Sequence, residues 1–75
     1  MNFRYDASVN AAYIDLKSVD DESGFGFTYC CDPAEVDGQI HLDFDIDGRL
    51  TGIEILNASK KLPTYLLKNE GSGTD

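Results

Sequence analysis

From Ile40 onward apolar and polar residues alternate as IHLDFDI, break at Asp47-Gly48, and resume as RLTGIEIL up to Leu56. Period-two alternation predicts strands with one covered and one wet face. Asp-Gly between two such runs predicts a hairpin with a two-residue turn, both central residues at positive φ. Folding the chain about that turn sets Phe44 against Thr51, Leu42 against Ile53 and Ile40 against Ile55 on the apolar side. His41, Asp43, Asp45 and Glu54 then fall on the other side as a solvated face. Gly52 comes opposite Asp43, where it marks either a bulge or the close approach of another group.

The same period appears twice near the N-terminus. Asn2 to Asp6 places Phe3 and Tyr5 on one side, and Ala11 to Lys17 places Ala12, Ile14 and Leu16 on one side. Asp6 and Asn10 read as turn-formers of a first hairpin. After a polar, acidic loop from Ser18 to Ser23, Gly24 to Asp32 reads as a third strand. Phe25, Phe27, Tyr29 and Cys31 share one of its faces, and Gly26, Thr28 and Cys30 the other. Asp32-Pro33 ends it, and Ala34 to Gly38 connects to the central hairpin.

Beyond Leu56, Asn57 is a good N-cap for one helical turn over Ala58 to Lys61, with its lysines at the negative end and Pro63 as the stop. Leu62, Tyr65, Leu66 and Leu67 return apolar surface to the sheet. Residues 71–75, GSGTD, have the composition of a loose tail. The expected fold is mainly β, a small α+β domain over residues 1–70. It is a single antiparallel sheet of about five strands, built from hairpins and closed by a short C-terminal helical turn.

Several of these residues together resemble a known family. Tyr5-Asp6, Asn10-Ala-Ala-Tyr13-Ile14, Glu35-Val36-Asp37-Gly38, Ile40, Leu42-Asp43-Phe44-Asp45, Asp47-Gly48-Arg49-Leu50 and the run Gly52 to Ser59 follow the order of the domain of unknown function 2283 family. The resemblance covers Met1 to Lys17 and Glu35 to Leu62. The family usually has Pro where Ala7 stands, Asp where Asn10 and Asn57 stand, and a shorter link in place of Ser23 to Pro33. It implies a small prokaryotic protein of antiparallel strands ending in a short helix, with no assigned activity. In some members it also implies a gene beside that of a toxin-like protein.

Fourteen acidic and six basic residues give a net charge of −8, which repels phosphate backbones and argues against nucleic-acid binding. The same field favours a basic protein partner, although acidity also serves solubility. No apolar run reaches the roughly 20 residues of a membrane helix, and MNFRYDASV lacks the regions of a secretory signal. A cytoplasmic protein without membrane contact is expected. Cys30 and Cys31 are adjacent, so in a strand they point to opposite faces, and two reduced thiols are the default. Neither a Cys-x-x-Cys redox spacing nor a zinc ligand set is present.

Two function classes compete. In the first, the chain is noncatalytic and carries no cofactor. Phe25, Phe27 and Tyr29 are then partner-binding residues of an oligomerising or partner-binding module, a homodimer or an antitoxin-like binder of a basic protein. The second is a metal or minor hydrolase-type site on the acidic face around His41, Asp43, Asp45 and Glu54. Asp43-x-Asp45-x-Asp47-Gly48, five residues and Glu54 match the spacing of a calcium loop, with ligands Asp43, Asp45, Asp47 and Glu54. A strand rather than a helix before that loop opposes the match. For catalysis, His41 opposite Glu54 is a candidate base without an evident nucleophile. Cys30 or Cys31 would pair with it only if strands three and four are neighbours, and Ser59-Lys60 reads more simply as part of a helix turn.

Overall fold

The computed structural model describes residues 1–69, so the loose tail expected over residues 71–75 lies outside the described residues. Strands β1 (Asn2–Asp6), β2 (Ala11–Asp15), β3 (Phe25–Cys30), β4 (Ile40–Asp45) and β5 (Leu50–Leu56) form one antiparallel sheet in the order β1-β2-β5-β4-β3. Three short helices accompany them: α1 (Pro33–Val36), α2 (Ala58–Lys61) and α3 (Thr64–Asn69). The chain is therefore a small, mostly β domain, and both hairpins read from the alternation are present. None of the described helices is long and apolar enough to cross a membrane.

The central hairpin keeps its register away from the turn, with Ile40 opposite Ile55, Leu42 opposite Ile53 and Asp43 opposite Gly52. Its turn differs from expectation. The Asp45 N–H donates to the Arg49 carbonyl (2.9 Å) and the Gly48 N–H to the Asp45 carbonyl (3.0 Å), so the connection is the three residues 46–48. Gly48 has φ of 87°, whereas Asp47 is not at positive φ. A tight turn followed by a left-handed glycine is the usual three-residue solution, and the Asp45 side chain selects it by accepting N–H groups within the loop. The extra residue is absorbed by a bulge, so Phe44 faces Leu50 rather than Thr51. Gly26 forms a second irregularity where β3 meets β4, so Phe25 pairs with Asp45 while Phe27 pairs with Phe44, and Phe25 leaves the face that Phe27 and Tyr29 share, which corrects the reading of all three on one face.

Local chemistry adds two helices that alternation did not reveal. Asp32 accepts the Ala34 N–H (2.9 Å) with Pro33 in the first turn, which converts the expected connector into α1. Lys61 closes its far end by donating to the carbonyls of Val36 (2.7 Å) and Asp37 (2.9 Å). Pro63 ends α2 as expected and then opens α3, with the Leu66 N–H donating to the Pro63 carbonyl (3.1 Å).

The α2 cap is not the one expected. Asn57 stands at the N-cap in the left-handed region and its side chain caps nothing. Asn10, in the turn between β1 and β2, does the capping from across the molecule. Its Oδ1 accepts the Ser59 N–H (2.9 Å) and the Tyr5 hydroxyl (2.9 Å). Its Nδ2 donates to Asn57 Oδ1 (3.1 Å) and Ser59 Oγ (3.0 Å), and its carbonyl accepts the Ala58 N–H (2.9 Å).

That clasp sets α2 on the sheet and buries Ala58 against Ala12 and Ile55, with Phe3, Tyr5, Ile14, Ile40, Ile53, Leu62 and Leu67 around them. Leu62 and Leu67 thus return apolar surface as expected, whereas Tyr65 stays exposed. Asn10→Ala should lower stability by about 2 kcal/mol, combining a lost cap with an alanine forced to positive φ. Thermal denaturation should show a drop of roughly 10 °C, with a smaller drop for Ser59→Ala.

Candidate functional site

Pairing of all five strands lines up Arg4, Tyr13, Glu54, His41 and Cys30 as one row across the face opposite the core. Asp15, Gly52, Asp43 and Thr28 make the next row. His41 and Glu54, matched by the alternation, meet at 3.0 Å between Nδ1 and Oε1. Strands β3 and β4 are neighbours, and Cys30 stands directly opposite His41. Both cysteines are free thiols, Cys30 exposed and Cys31 half-buried.

The aspartates have separate tasks. Asp43 accepts the Tyr13 hydroxyl at Oδ2 (2.8 Å) and the Thr28 hydroxyl at Oδ1 (2.7 Å). Tyr13 reaches it by lying over Gly52, where an added Cβ would overlap the phenol. Of the two explanations for Gly52, close approach is the one that applies at that residue, and the bulge falls beside it. Tyr13 was invisible as a site residue because its neighbour β5 lies far along the chain; only the bare glycine hinted at an incoming ring. Arg4 sits over the Tyr13 ring, 5.4 Å from its centre.

Asp45 is 2% exposed and does not belong to a solvated face. Its Oδ1 accepts the N–H groups of Asp47 and Arg49 (both 2.9 Å), and its Oδ2 accepts the Ser23 hydroxyl (3.2 Å). The Arg49 N–H is the main cause that holds its carboxyl below the usual carboxylate range, opposed by burial and assisted by Asp47, Ser23 and the Arg49 charge. Asp45 therefore fastens the hairpin turn and the acidic loop together.

These partners leave the calcium reading without a shared centre. Asp43 serves Tyr13 and Thr28, Asp45 serves the turn, and Glu54 serves His41. The segment before the turn is a strand. Among the described residues no three His, Cys, Asp or Glu side chains gather as a cation site, so Asp43, Asp45, Asp47 and Glu54 do not converge. Ser59 is engaged in the Asn10 clasp rather than poised beside Lys60 as a nucleophile. An open groove of about 540 Å³ borders Arg4, Tyr13 and Glu54 but not His41, Asp43 or Asp45.

The aromatic strand is the other candidate surface. All six residues of β3 are exposed, including Phe25 (68%), Phe27 (52%) and Tyr29 (55%). Phe27 stacks on Phe44 with ring centres 4.8 Å apart and planes 14° from parallel. Among the described residues the outer edge of β3 carries no neighbouring strand.

Two titrations check this geometry. Burial, then the hydrogen bond and charge of Asp43, push the Tyr13 phenol up to about 12. Absorbance titration should show one tyrosine ionising near that value and its loss in Tyr13→Phe. Because the folded value lies above the ordinary one, the stability Tyr13 contributes is intact below about pH 10 and disappears as pH rises through about 12. Asp45 has the opposite sign. Its folded carboxyl is depressed, so its contribution is present above the ordinary value of 3.8 and is lost as pH falls through the folded one. The melting-temperature gap between wild type and Asp45→Asn should be wide at neutral pH and narrow in acid below pH 3.8.

No curated protein and no solved structure matches the chain. The family described as Protein of unknown function (DUF2283) matches residues 2–59, which take in all five strands, the Asn10 clasp and the His41–Glu54 pair. The chain belongs to that family.

Proposed function

We propose that the protein is a noncatalytic association module whose β3 edge takes up a strand of another chain, in the first instance β3 of a second copy. The observation that carries this reading is the pairing of an open edge with uncovered rings on a strand free of charge. The sequence FGFTYC contains no Lys, Glu, Asp or Pro, the residues that normally protect an edge from pairing. The opposite edge, β1, carries Arg4 and Asp6. Strand addition supplies the unmet backbone hydrogen bonds, and a two-fold axis makes the two edges complementary by symmetry.

The size of the core argues the same way. Among the described residues Ala12, Ile55 and Ala58 are its buried apolar residues, while Phe25, Phe27 and Tyr29 lie open. Covering those rings adds apolar burial that a sheet of this size lacks alone. Where the occupant is a different protein, the net charge of −8 favours a basic one, as an antitoxin-like role requires.

The mass of the purified protein should correspond to two 8.3 kDa chains. Phe25→Arg should yield monomer because it introduces charge at an uncovered ring. Thr28→Pro should do the same by removing an N–H from the open edge, since the inward ladder position of Cys31 makes Thr28 face outward. Both variants should retain the wild-type far-ultraviolet circular dichroism. A monomeric wild type at high concentration, or folded variants that remain dimeric, would overturn the β3 reading.

A further inference from the structure

We propose that two copies of the chain join through β3 in a single register, with a two-fold axis at Tyr29, so that two five-stranded sheets run on as one of ten strands. The inference rests on the reading of β3 as an association edge and fixes how the second copy sits on that edge.

The ladder on the inner side of β3 decides which of its groups point outward. The Leu56 N–H donates to the Gln39 carbonyl (3.0 Å), so Gln39 bonds towards β5 and Ile40 towards β3. The Cys31 N–H accordingly meets the Ile40 carbonyl (2.9 Å). Main-chain groups alternate in direction along a strand, so Phe27, Tyr29 and Cys31 bond to β4 while Thr28 and Cys30 turn theirs outward. At Gly26 the alternation breaks, because the irregularity lies there and an added Cβ would run into the Asp45 carbonyl. At the other end Asp32 caps α1 and Pro33 has no N–H to give. The regular edge is therefore residues 27–31, and its middle is Tyr29.

An antiparallel two-fold about Tyr29 sets Thr28 of each copy opposite Cys30 of the other. Both are hydrogen-bonded pairs, so the two outward N–H groups of each copy meet the two outward carbonyls of the other. An axis at Phe27 or Thr28 would call instead on Gly26 in its bulge, and one at Cys30 or Cys31 on Asp32 at its cap.

The side chains suit the same register. Tyr29 meets its own counterpart in the narrower, non-hydrogen-bonded pair, where side chains lie closest. Phe27, already stacked on Phe44, reaches that counterpart diagonally. Rings that stand 52% and 55% exposed thus cover one another. The joining strands bring no charges together, although each chain carries a net −8. Both helix-bearing faces come to lie on one side of the joined sheet, and both rows of Glu54, His41 and Asp43 on the other. β1, with Arg4 and Asp6, forms the two outer edges, so growth stops at two copies.

The test mixes two full-length variants that hold one thiol each. The first carries Thr28→Cys, Cys30→Ser and Cys31→Ser; the second carries Cys31→Ser alone and keeps Cys30. Hydrogen-bonded cross-strand pairs hold their Cα atoms about 5.5 Å apart, a separation that a disulfide spans. With oxidised glutathione as the oxidant, mass spectrometry should show linked dimers of one chain of each kind, forming about tenfold faster than either variant links to itself. Tyr29→Cys, with Cys30→Ser and Cys31→Ser, should link to its own kind because that residue lies at the axis, and it decides the matter if Thr28→Cys releases the dimer. Faster linking of Thr28→Cys to itself, or of Cys30 to itself, would overturn the register and leave association through β3 standing. Absence of a link in both experiments, with a dimeric wild type and with folding confirmed by circular dichroism, would overturn the register as well. A monomeric wild type at high concentration would overturn the association reading itself.

Discussion

Asn10 uses every hydrogen-bonding group it has, and the fold depends on the result. Its side-chain amide makes four bonds, to Tyr5, Asn57 and both the hydroxyl and the N–H of Ser59. Its main chain adds Ala7 and Ala58. A single antiparallel sheet has two faces and needs something to cover one of them. Here the cover is short, and isolated helices of this length do not hold together in water. The clasp supplies the attachment that helix propensity cannot. Once Ala58 is seated on Ala12 and Ile55, Leu62 and Leu67 follow onto the same face.

This accounts physically for the most specific stretch of the sequence, Gly52 to Ser59. Gly52 makes room for Tyr13, Glu54 meets His41, Ile53 and Ile55 point into the core, and Asn57, Ala58 and Ser59 receive Asn10. The run is largely a set of packing and docking instructions. Its calcium-like spacing with the upstream aspartates has the same origin. Alternation along β4 puts carboxylates at every second position, the turn contributes Asp47-Gly48, and cross-strand register places Glu54. The resulting spacing resembles an ion loop, while each carboxylate that bonds has its own partner.

What was legible in the sequence follows from the range of the forces involved. Side-chain alternation is local, so both hairpins, the third strand and the pairing of His41 with Glu54 could be read directly. The order β1-β2-β5-β4-β3 depends on contacts between distant segments and could not. Tyr13 over Gly52 and Asn10 on Ser59 were hidden for that reason. Asp45 failed differently. Period two assigned it correctly to the face shared with Asp43, but its hydrogen bonds to the turn drew it inward and replaced the two-residue turn with a longer one. A polar side chain that bonds its own loop overrides the exposure that alternation assigns it.

The two edges of the sheet show how one strand holds two kinds of surface. β1 is guarded by charge and its Arg4 is drawn over Tyr13, whereas β3 presents uncharged backbone and open rings. Strand geometry then separates the surfaces of β3. Its backbone edge lies in the plane of the sheet, the rings of Phe27 and Tyr29 stand on the core side, and Thr28 and Cys30 stand beside Asp43 and His41 on the other. Cys30 closes the strand in the row of His41 and Glu54, just before the chain turns into α1.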